Sequence, residues 1–154
     1  MYQTILVPMD GSKRAEAILS HVESIAKSNG AKVFFLKIEE EPIMLERDET
    51  HDTARYHELF VKRNERSQAY LDKLHARFLK NNITAVTRLA FGSVVKAILN
   101  TAAETDADLI AMATHGFSGL ARVSYGSVAA GVLQAAEVPI LLIRSCGGKK
   151  DETC

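Results

Sequence analysis

The sequence predicts a doubly wound α/β domain with a five-stranded parallel sheet in the order 3-2-1-4-5 and helices on both faces. Short β-branched and apolar runs alternate with stretches of helical periodicity, which is typical of a parallel sheet with right-handed crossovers. The length of 154 residues suits one domain with a real core but not two. Hydrophobic residues make up 47% and charged residues 25% of the chain, as in ordinary globular proteins.

Charge and hydropathy argue against several function classes. Nineteen Lys and Arg residues balance nineteen Asp and Glu residues, so nothing draws the whole chain toward nucleic acid or an anionic membrane. No apolar run approaches the ~20 residues of a membrane helix, and the first residues lack the basic segment of a signal peptide. Cys146 and Cys154 offer neither a disulfide framework nor a metal cluster. We therefore expect a cytoplasmic protein without nucleic acid binding or membrane insertion.

The first half of the chain predicts two strands, each followed by a helix. In order, these are a strand at 3–8, a helix at 12–29, a strand at 31–38 and a long helix at 53–80. Ser12 is the predicted N-cap of the first helix, and Asn29-Gly30 is typical of a helix C-terminus. Residues 39–52 include seven acidic residues and one basic residue, which predicts an exposed excursion rather than part of the core.

The second half completes the alternation. In order, it predicts a strand at 83–91, a helix capped by Ser93, a strand at 107–114, a helix at 128–136 and a strand at 138–144. The last strand is strongly apolar. An exposed apolar edge can pair with another chain, so the Val138–Arg144 strand is a candidate homodimer edge, although a buried fifth strand would have the same composition. We expect one domain over residues 1–145 and a polar, flexible tail over 146–154.

The predicted strand order locates a binding crevice. Ligands of doubly wound sheets bind beyond the strand C-termini, where the direction of winding reverses. That reversal lies between the first and fourth strands. The first strand ends at Met9-Asp10 and the fourth at Thr114-His115-Gly116. We expect these two segments to form the walls of one crevice.

A glycine- and hydroxyl-rich stretch follows the fourth strand and leads into a helix directly behind Gly126-Ser127. A strand, a glycine loop and a helix N-terminus together present backbone N–H groups that can hold a phosphate. Gly116, Gly119 and Gly126 could instead be ordinary turn residues. Ser127 could hydrogen-bond a phosphate or simply cap its helix. The combination indicates a phosphate-binding segment of a nucleotide site.

These residues resemble the ATP-binding branch of the universal stress protein family. The similarity covers Thr4 to about Arg144, from an opening like Ile-Leu-Val-Pro-x-Asp-Gly-Ser to a closing Val-Pro-Ile-Leu-Leu-Ile-Arg. The ATP-binding members carry glycine, two residues, glycine, nine residues, and then Gly-Ser or Gly-Thr. Gly116, Gly126 and Ser127 match that spacing, while Ala113 replaces the first glycine. The replacement matters if the backbone there needs a positive φ, and is mild if only close approach is needed.

The resemblance implies a Rossmann-like fold of the adenine nucleotide alpha hydrolase-like class, a homodimer, and ATP as the ligand, with or without Mg²⁺. It also implies adenine read by backbone groups near Ile38, ribose near Asp10, and phosphates held between Gly116 and Ser127. The expected nucleotide-binding residues are Pro8, Met9, Asp10, Ile38, Met112, Ala113, His115, Gly116, Gly119, Gly126, Ser127 and Val128.

Other polar residues have plainer interpretations beside the functional ones. Asp10 could accept hydrogen bonds from ribose hydroxyls, or it could only close an Asx turn. His115 has no partnered nucleophile or carboxylate at a recognisable spacing, which favours ligand contact over acid/base catalysis. His51 and His57 lack the i, i+4 spacing of metal ligands on one helical face. Lys13, Arg14 and Arg122 are near the predicted phosphate end, where a basic residue can offset phosphate charge or remain solvated.

The favoured hypothesis is a cytoplasmic ATP-binding stress-response or regulatory homodimer, in which the nucleotide changes conformation or the affinity for a protein partner. Hydrolysis would need a positioned base and a cation array, and the sequence shows neither an evident base nor a Walker lysine. Binding is therefore favoured over catalysis. The alternatives are a slow ATPase or nucleotide-dependent enzyme, a nucleotide-free dimerisation module, and, more remotely, a flavin carrier.

Overall fold

Five parallel strands form one sheet in the order β3-β2-β1-β4-β5, as the sequence predicts. The computed structural model describes residues 1–40, 53–115 and 126–145. The strands are β1 (Thr4–Met9), β2 (Lys32–Glu39), β3 (Ala85–Phe91), β4 (Leu109–His115) and β5 (Ile140–Ser145). The α-helices are α1 (Leu19–Asn29), α2 (Thr53–Lys80), α3 (Val94–Glu104) and α4 (Ser127–Ala135).

Two hydrophobic layers cover the two faces of the sheet. Alternate residues of β1 separate them, since Ile5 and Val7 pack with α1 and α2 while Leu6 packs with α3 and α4. Phe35 of β2 and Phe78 of α2 meet edge to face, with ring centroids 4.8 Å apart in the first layer. The predicted helices on both faces are thereby confirmed. Within the described residues, no helix is both long and apolar enough to cross a bilayer.

The start of the first helical region differs from the prediction. A 3₁₀ turn over Ala15–Ile18 precedes α1, and Arg14 occupies the position before that turn. The Ser12 hydroxyl still accepts a hydrogen bond from the Ala15 N–H at 3.1 Å, which satisfies a donor that the turn leaves unpaired. At the other end, Gly30 adopts a left-handed conformation with φ of 65°, as the predicted glycine C-cap requires.

The boundary at Glu39 requires a correction. Glu39 was grouped with the exposed acidic excursion, yet it is the last residue of β2 and only 9% exposed. Lys37 lies two residues earlier on the same face of the strand, and its ion pair with the Glu39 carboxylate offsets the cost of burying that charge. Glu40 is exposed, and residues 41–52 lie outside the described part of the chain.

At the N-terminal ends of the strands, one carboxylate links β4 to β1. Asp108 precedes β4 and accepts hydrogen bonds from the backbone N–H groups of Gln3 and Thr4, at 2.7 and 3.1 Å. The carboxylate therefore accepts hydrogen bonds from N–H groups at the start of β1, before the point where β1 begins to pair with β4. This contact aligns the two central strands, whose other ends form the candidate site.

Candidate functional site

A cavity of about 330 Å³ opens at the carboxyl ends of β1, β2 and β4, where the winding of the sheet reverses. It is lined by Pro8, Met9, Asp10, Ala15, Ile38, Val94, Ile98, Met112, Ala113, Thr114, Gly126, Ser127, Val128 and Ala129. Most of these side chains are apolar, and the polar groups are concentrated at the end of β1 and the start of α4. This is the usual composition of a pocket for a small organic ligand.

Nine of the predicted site residues line this cavity together. They are Pro8, Met9, Asp10, Ile38, Met112, Ala113, Gly126, Ser127 and Val128. His115 ends β4 one residue beyond the lining residue Thr114, while Gly116 and Gly119 lie outside the described residues. Arg122, His51, Cys146, Cys154 and the predicted tail also lie outside them.

Four lining residues were not predicted for the crevice: Ala15, Val94, Ile98 and Ala129. Thr114 was predicted in its wall, but not among the nucleotide-binding residues. Val94 and Ile98 are four positions apart at the beginning of α3 and therefore share a helical face. The sequence predicted this segment only as a helix capped by Ser93. The strand order could have placed the start of α3 at the crevice. Helix α3 follows β3, whose carboxyl end lies at the same end of the sheet as the crevice.

The Asp10-Gly11-Ser12 turn holds the carboxylate of Asp10 at the crevice. The backbone N–H of Ser12 donates to Asp10 Oδ1 at 2.8 Å, so the Asx turn offered as the plainer interpretation is present. Gly11 has φ of 86°, a left-handed conformation that L side chains rarely adopt. Asp10 is nevertheless exposed and lines the cavity. The turn therefore orients the carboxylate rather than burying it.

Ala113 lies within β4 and needs no unusual backbone conformation. Among the described residues, the non-glycine positions with positive φ are Asn82 and Asp106. The Ala113 side chain packs with the α1 and α2 layer, while its neighbour Met112 packs with the α3 and α4 layer. The methyl group thus lies toward the side of the sheet away from α3 and α4. The replacement of the family's glycine by Ala113 therefore introduces no backbone strain.

A hydrogen-bond chain positions the start of α4. Gly126 is the N-cap residue, and its N–H donates to Thr114 Oγ1 at 3.2 Å. The carbonyl of Thr114 in turn accepts a hydrogen bond from the Ser145 hydroxyl at 3.0 Å. Thr114 and Ser145 are 6% and 5% exposed, so these bonds are shielded from water. The ends of β4 and β5 therefore anchor the helix N-terminus.

The first turn of α4 supplies donors to the crevice. The first intrahelical bond runs from the Ala130 N–H to the Gly126 carbonyl, and the Gly126 N–H is taken by Thr114. By helix geometry, the N–H groups of Ser127, Val128 and Ala129 have no partner inside the helix. These three residues line the cavity. Helix N-termini of this kind favour anions through both the free donors and the helix dipole.

At the same end of the sheet, but on its other face, lies an ionic cluster formed by Lys37, Glu39, Arg63 and Ser67. Lys37 Nζ lies 2.5 Å from Glu39 Oε1, which also accepts a hydrogen bond from the Ser67 hydroxyl. Arg63 Nε lies 3.3 Å from Glu39 Oε2. The ionic cluster thus pairs both carboxylate oxygens of a buried residue.

Two pKa shifts characterise this face. Burial by itself raises the pKa of the Glu39 carboxyl, but hydrogen bonds from Lys37 and Ser67, with the charges of Lys37 and Arg63, outweigh it. The pKa of Glu39 therefore lies below its ordinary value. Burial raises the pKa of the Tyr70 phenol, and the negative charges of Glu16 and Asp10 raise it further. Tyr70 therefore stays neutral beside these carboxylates.

Few ionisable groups of the described residues lie near the crevice. Lys13 and Arg14 are exposed beyond the end of β1, while His57 is exposed on α2, which packs on the other face of the sheet from α3 and α4. Within the described ranges, no three His, Cys, Asp or Glu side chains lie together as a metal site would require. The arrangement therefore offers an apolar cleft, one oriented carboxylate and a set of backbone donors.

Comparison with known proteins places this geometry in a family. The family model described as the universal stress protein family matches residues 1–144. The universal stress protein MJ0531 of Methanocaldococcus jannaschii is 28% identical over 144 residues, which cover 94% of this chain and 83% of that protein.

Solved structures share the fold at lower sequence identity. The structure of the hypothetical protein MJ0577 superposes with a TM-score of 0.80 at 23% identity, covering 96% of this chain and 99% of that one. A universal stress protein in complex with cAMP gives 0.70 at 23% identity, covering 94% and 98%. One from Archaeoglobus fulgidus in complex with dAMP gives 0.61 at 21% identity, covering 92% and 98%. Together with the family match over nearly the whole chain, the sheet order and the crevice show that this chain belongs to the universal stress protein family.

Proposed function

We propose that this protein binds an adenine nucleotide, with ATP as the physiological form, and acts as a cytoplasmic regulatory homodimer. The observation that carries the proposal is the convergence of three complementary surfaces in one cavity. An apolar cleft, the carboxylate of Asp10 and the N-terminus of α4 suit the base, the ribose and the phosphates respectively. Residues 1–145 form the nucleotide-binding domain in this proposal.

The base would lie in the apolar part of the cavity, between Ile38 and the first turn of α3. Val94, Ile98 and Met112 supply apolar surface there, and the backbone at Ile38 supplies polar groups for the ring edge. Two neighbours of the same fold were solved with cAMP and dAMP, and these ligands share the adenine ring. Adenine is therefore the base that the comparisons support.

The ribose and phosphates would occupy the polar part. Asp10 Oδ1 accepts from Ser12, which leaves the other carboxylate oxygen for a ribose hydroxyl. The N–H groups of Ser127 and Val128 suit phosphate oxygens. Asp10 is the one acidic side chain among the described lining residues, so Mg²⁺ would be held mainly by phosphates and water.

Binding, rather than turnover, is the activity we propose. Phosphoryl transfer depends on a positioned base and on cations that stabilise the transferred charge. The described lining residues contain the Asp10 carboxylate as their single ionisable side chain, and Ser12 already engages one of its oxygens. The nucleotide would act by stabilising one conformation or one partner complex.

The direct test is to heat-denature the purified protein and identify any released nucleotide, with melting curves in ATP, ADP, AMP and FMN. A ligand at about 100 times its Kd adds ~2.7 kcal/mol of stability. We expect adenine nucleotides to raise Tm and FMN to leave it unchanged. No shift with any adenine nucleotide would contradict the proposal and favour a nucleotide-free dimerisation module. A yellow protein stabilised by FMN would favour a flavin carrier.

The homodimer is proposed to form through β5. Among the described residues this strand pairs with β4 alone, so no described strand covers its other edge. Leu141, Leu142 and Ile143 remain half-buried in the single chain, so the edge carries apolar side chains. Light scattering should give about twice the chain mass of 16.9 kDa. Leu142→Arg should reduce that mass to one chain while the circular dichroism spectrum stays that of the folded protein.

A further inference from the structure

Helices α3 and α4 come unusually close at one point beside the crevice. A Cβ atom built on Gly131 would lie 2.8 and 3.2 Å from the two γ-carbons of Val95, and 3.6 Å from its Cβ. The first two distances are shorter than carbon–carbon van der Waals contact. Gly131 lies in the middle of α4, where glycine is a poor helix former. The contact with Val95 supplies the packing reason for a glycine there.

Side-chain rotation of Val95 cannot relieve this contact. Two of the three substituent positions on its Cβ face Gly131, and hydrogen can occupy only one of them. Every staggered rotamer therefore leaves at least one methyl group against position 131. Val95 also packs against the buried layer between the sheet and the two helices, which restricts its movement. The best rotamer exchanges the 2.8 Å contact for the 3.2 Å one, so a methyl group at position 131 still requires Val95 or the two helices to shift.

The contact lies next to the groups that the nucleotide would touch. Gly131 is one helical turn after Ser127, and Val95 directly follows Val94 at the start of α3. Val94 and Ser127 both line the cavity from opposite helices. Any separation of α3 from α4 at this point changes the distance between the apolar cleft and the free N–H groups.

We propose that Gly131 and Val95 are positioning residues that set the width of the crevice between the base and phosphate subsites. This proposal rests on the proposed nucleotide binding. Gly131 has no side chain, and Val95 lines the adjoining pocket beside Ser127 and Val128 rather than the cavity itself. They act by holding the N-terminus of α4 at the distance from α3 that one nucleotide spans.

The test is a double-mutant cycle with two readouts, the Kd for ATP by calorimetry and Tm. Gly131→Ala should weaken ATP binding about tenfold, because a sub-ångström to ångström misplacement of binding groups has effects of this order. Val95→Ala removes both γ-carbons and should restore the affinity of the Gly131→Ala variant to near the wild-type value. Gln134→Ala, at an exposed position on the same helix, is the matched control and should leave Kd unchanged.

The outcomes separate the two proposals. Unchanged affinity and a higher Tm for Gly131→Ala would show a glycine without a packing role and overturn the inference. If Gly131→Ala fails to fold, the double variant decides, since folding with wild-type affinity supports the steric account and folding without binding contradicts it. A wild-type protein that binds no adenine nucleotide defeats the proposed function itself, and the positioning role falls with it.

Discussion

Two polar regions lie at the carboxyl ends of the strands and differ in how their polar groups are paired. On the α2 side, both oxygens of Glu39 have partners in the ionic cluster. At the crevice between β1 and β4, Asp10 is exposed and the first N–H groups of α4 have no partner within the helix. One oxygen of Asp10 lies outside its Asx turn, whereas both oxygens of the buried Glu39 carboxylate have ionic partners. The difference supports a structural role for the ionic cluster and the proposed binding role for the crevice.

The largest expected effect is on the binding face. In Gly126→Val, the added Cβ meets no described atom within 4 Å, and φ of −53° suits any residue. The fold should therefore tolerate valine, while the side chain occupies the space beside the helix N-terminus. We expect ATP affinity to fall at least about 100-fold, or ~2.7 kcal/mol, measured by calorimetry. Gln134→Val introduces the same side chain at an exposed site and should bind like the wild type. Normal binding by Gly126→Val would remove the helix N-terminus from the site.

The second effect should appear on the structural face. Glu39→Gln leaves Lys37 and Arg63 without their carboxylate, and breaking such a pair should cost about 2 kcal/mol in the free energy of unfolding. Glu104→Gln removes an exposed partner of Arg88, 2.6 Å away, and should cost about 0.5 kcal/mol or less. Chemical denaturation measures both. Nucleotide affinity should be unchanged in either variant, and a large loss in Glu39→Gln would show that the two faces are not separate.

The ionic cluster also predicts a pH dependence. The pKa of Glu39 is lower in the folded than in the unfolded protein, where it lies near 4.5. The carboxylate therefore contributes stability above that pH, and the contribution is lost as pH falls through the folded pKa. The stability difference between wild type and Glu39→Gln should be full at pH 7 and shrink below pH 4.5. A difference that grows with acidification would contradict the assigned pairing.

The smallest effect should come from the hydrogen bond that anchors α4. Thr114→Val removes the acceptor of the Gly126 N–H, which costs about 1 kcal/mol of stability and loosens the helix N-terminus. ATP affinity should fall several-fold, to about tenfold at most. Thr114→Ser retains the hydroxyl and should preserve both quantities. Equal behaviour of the valine and serine variants would mean that this bond does not position the site.

The sequence predicted the sheet order and most of the described crevice because both depend on local patterns. Alternating strands and helices indicate a doubly wound sheet, and the favoured order 3-2-1-4-5 brings Asp10 and Ser127 to one crevice. The resemblance then pointed to Ile38. These residues lie at strand or helix ends, where short-range signals are strong.

What the sequence could not show depends on contacts between distant segments. Glu39 resembled part of an acidic run, and its burial follows from Arg63 and Ser67 on a helix more than twenty residues away. Thr114 reaches Gly126 across twelve positions. The close approach of Gly131 to Val95 depends on the crossing of two helices, which no periodicity predicts. Tertiary packing decided each of these cases.

The most direct test of nucleotide binding at the crevice is an NMR titration of isotope-labelled protein with ATP, following backbone amide signals. The account predicts saturable shifts at Ile38, Ser127 and Val128, which line the cavity, and small changes at Arg63 and Ser67 in the ionic cluster. Saturable shifts centred on the ionic cluster, or no saturable shifts at all, would contradict the assignment of binding to the α3 and α4 face.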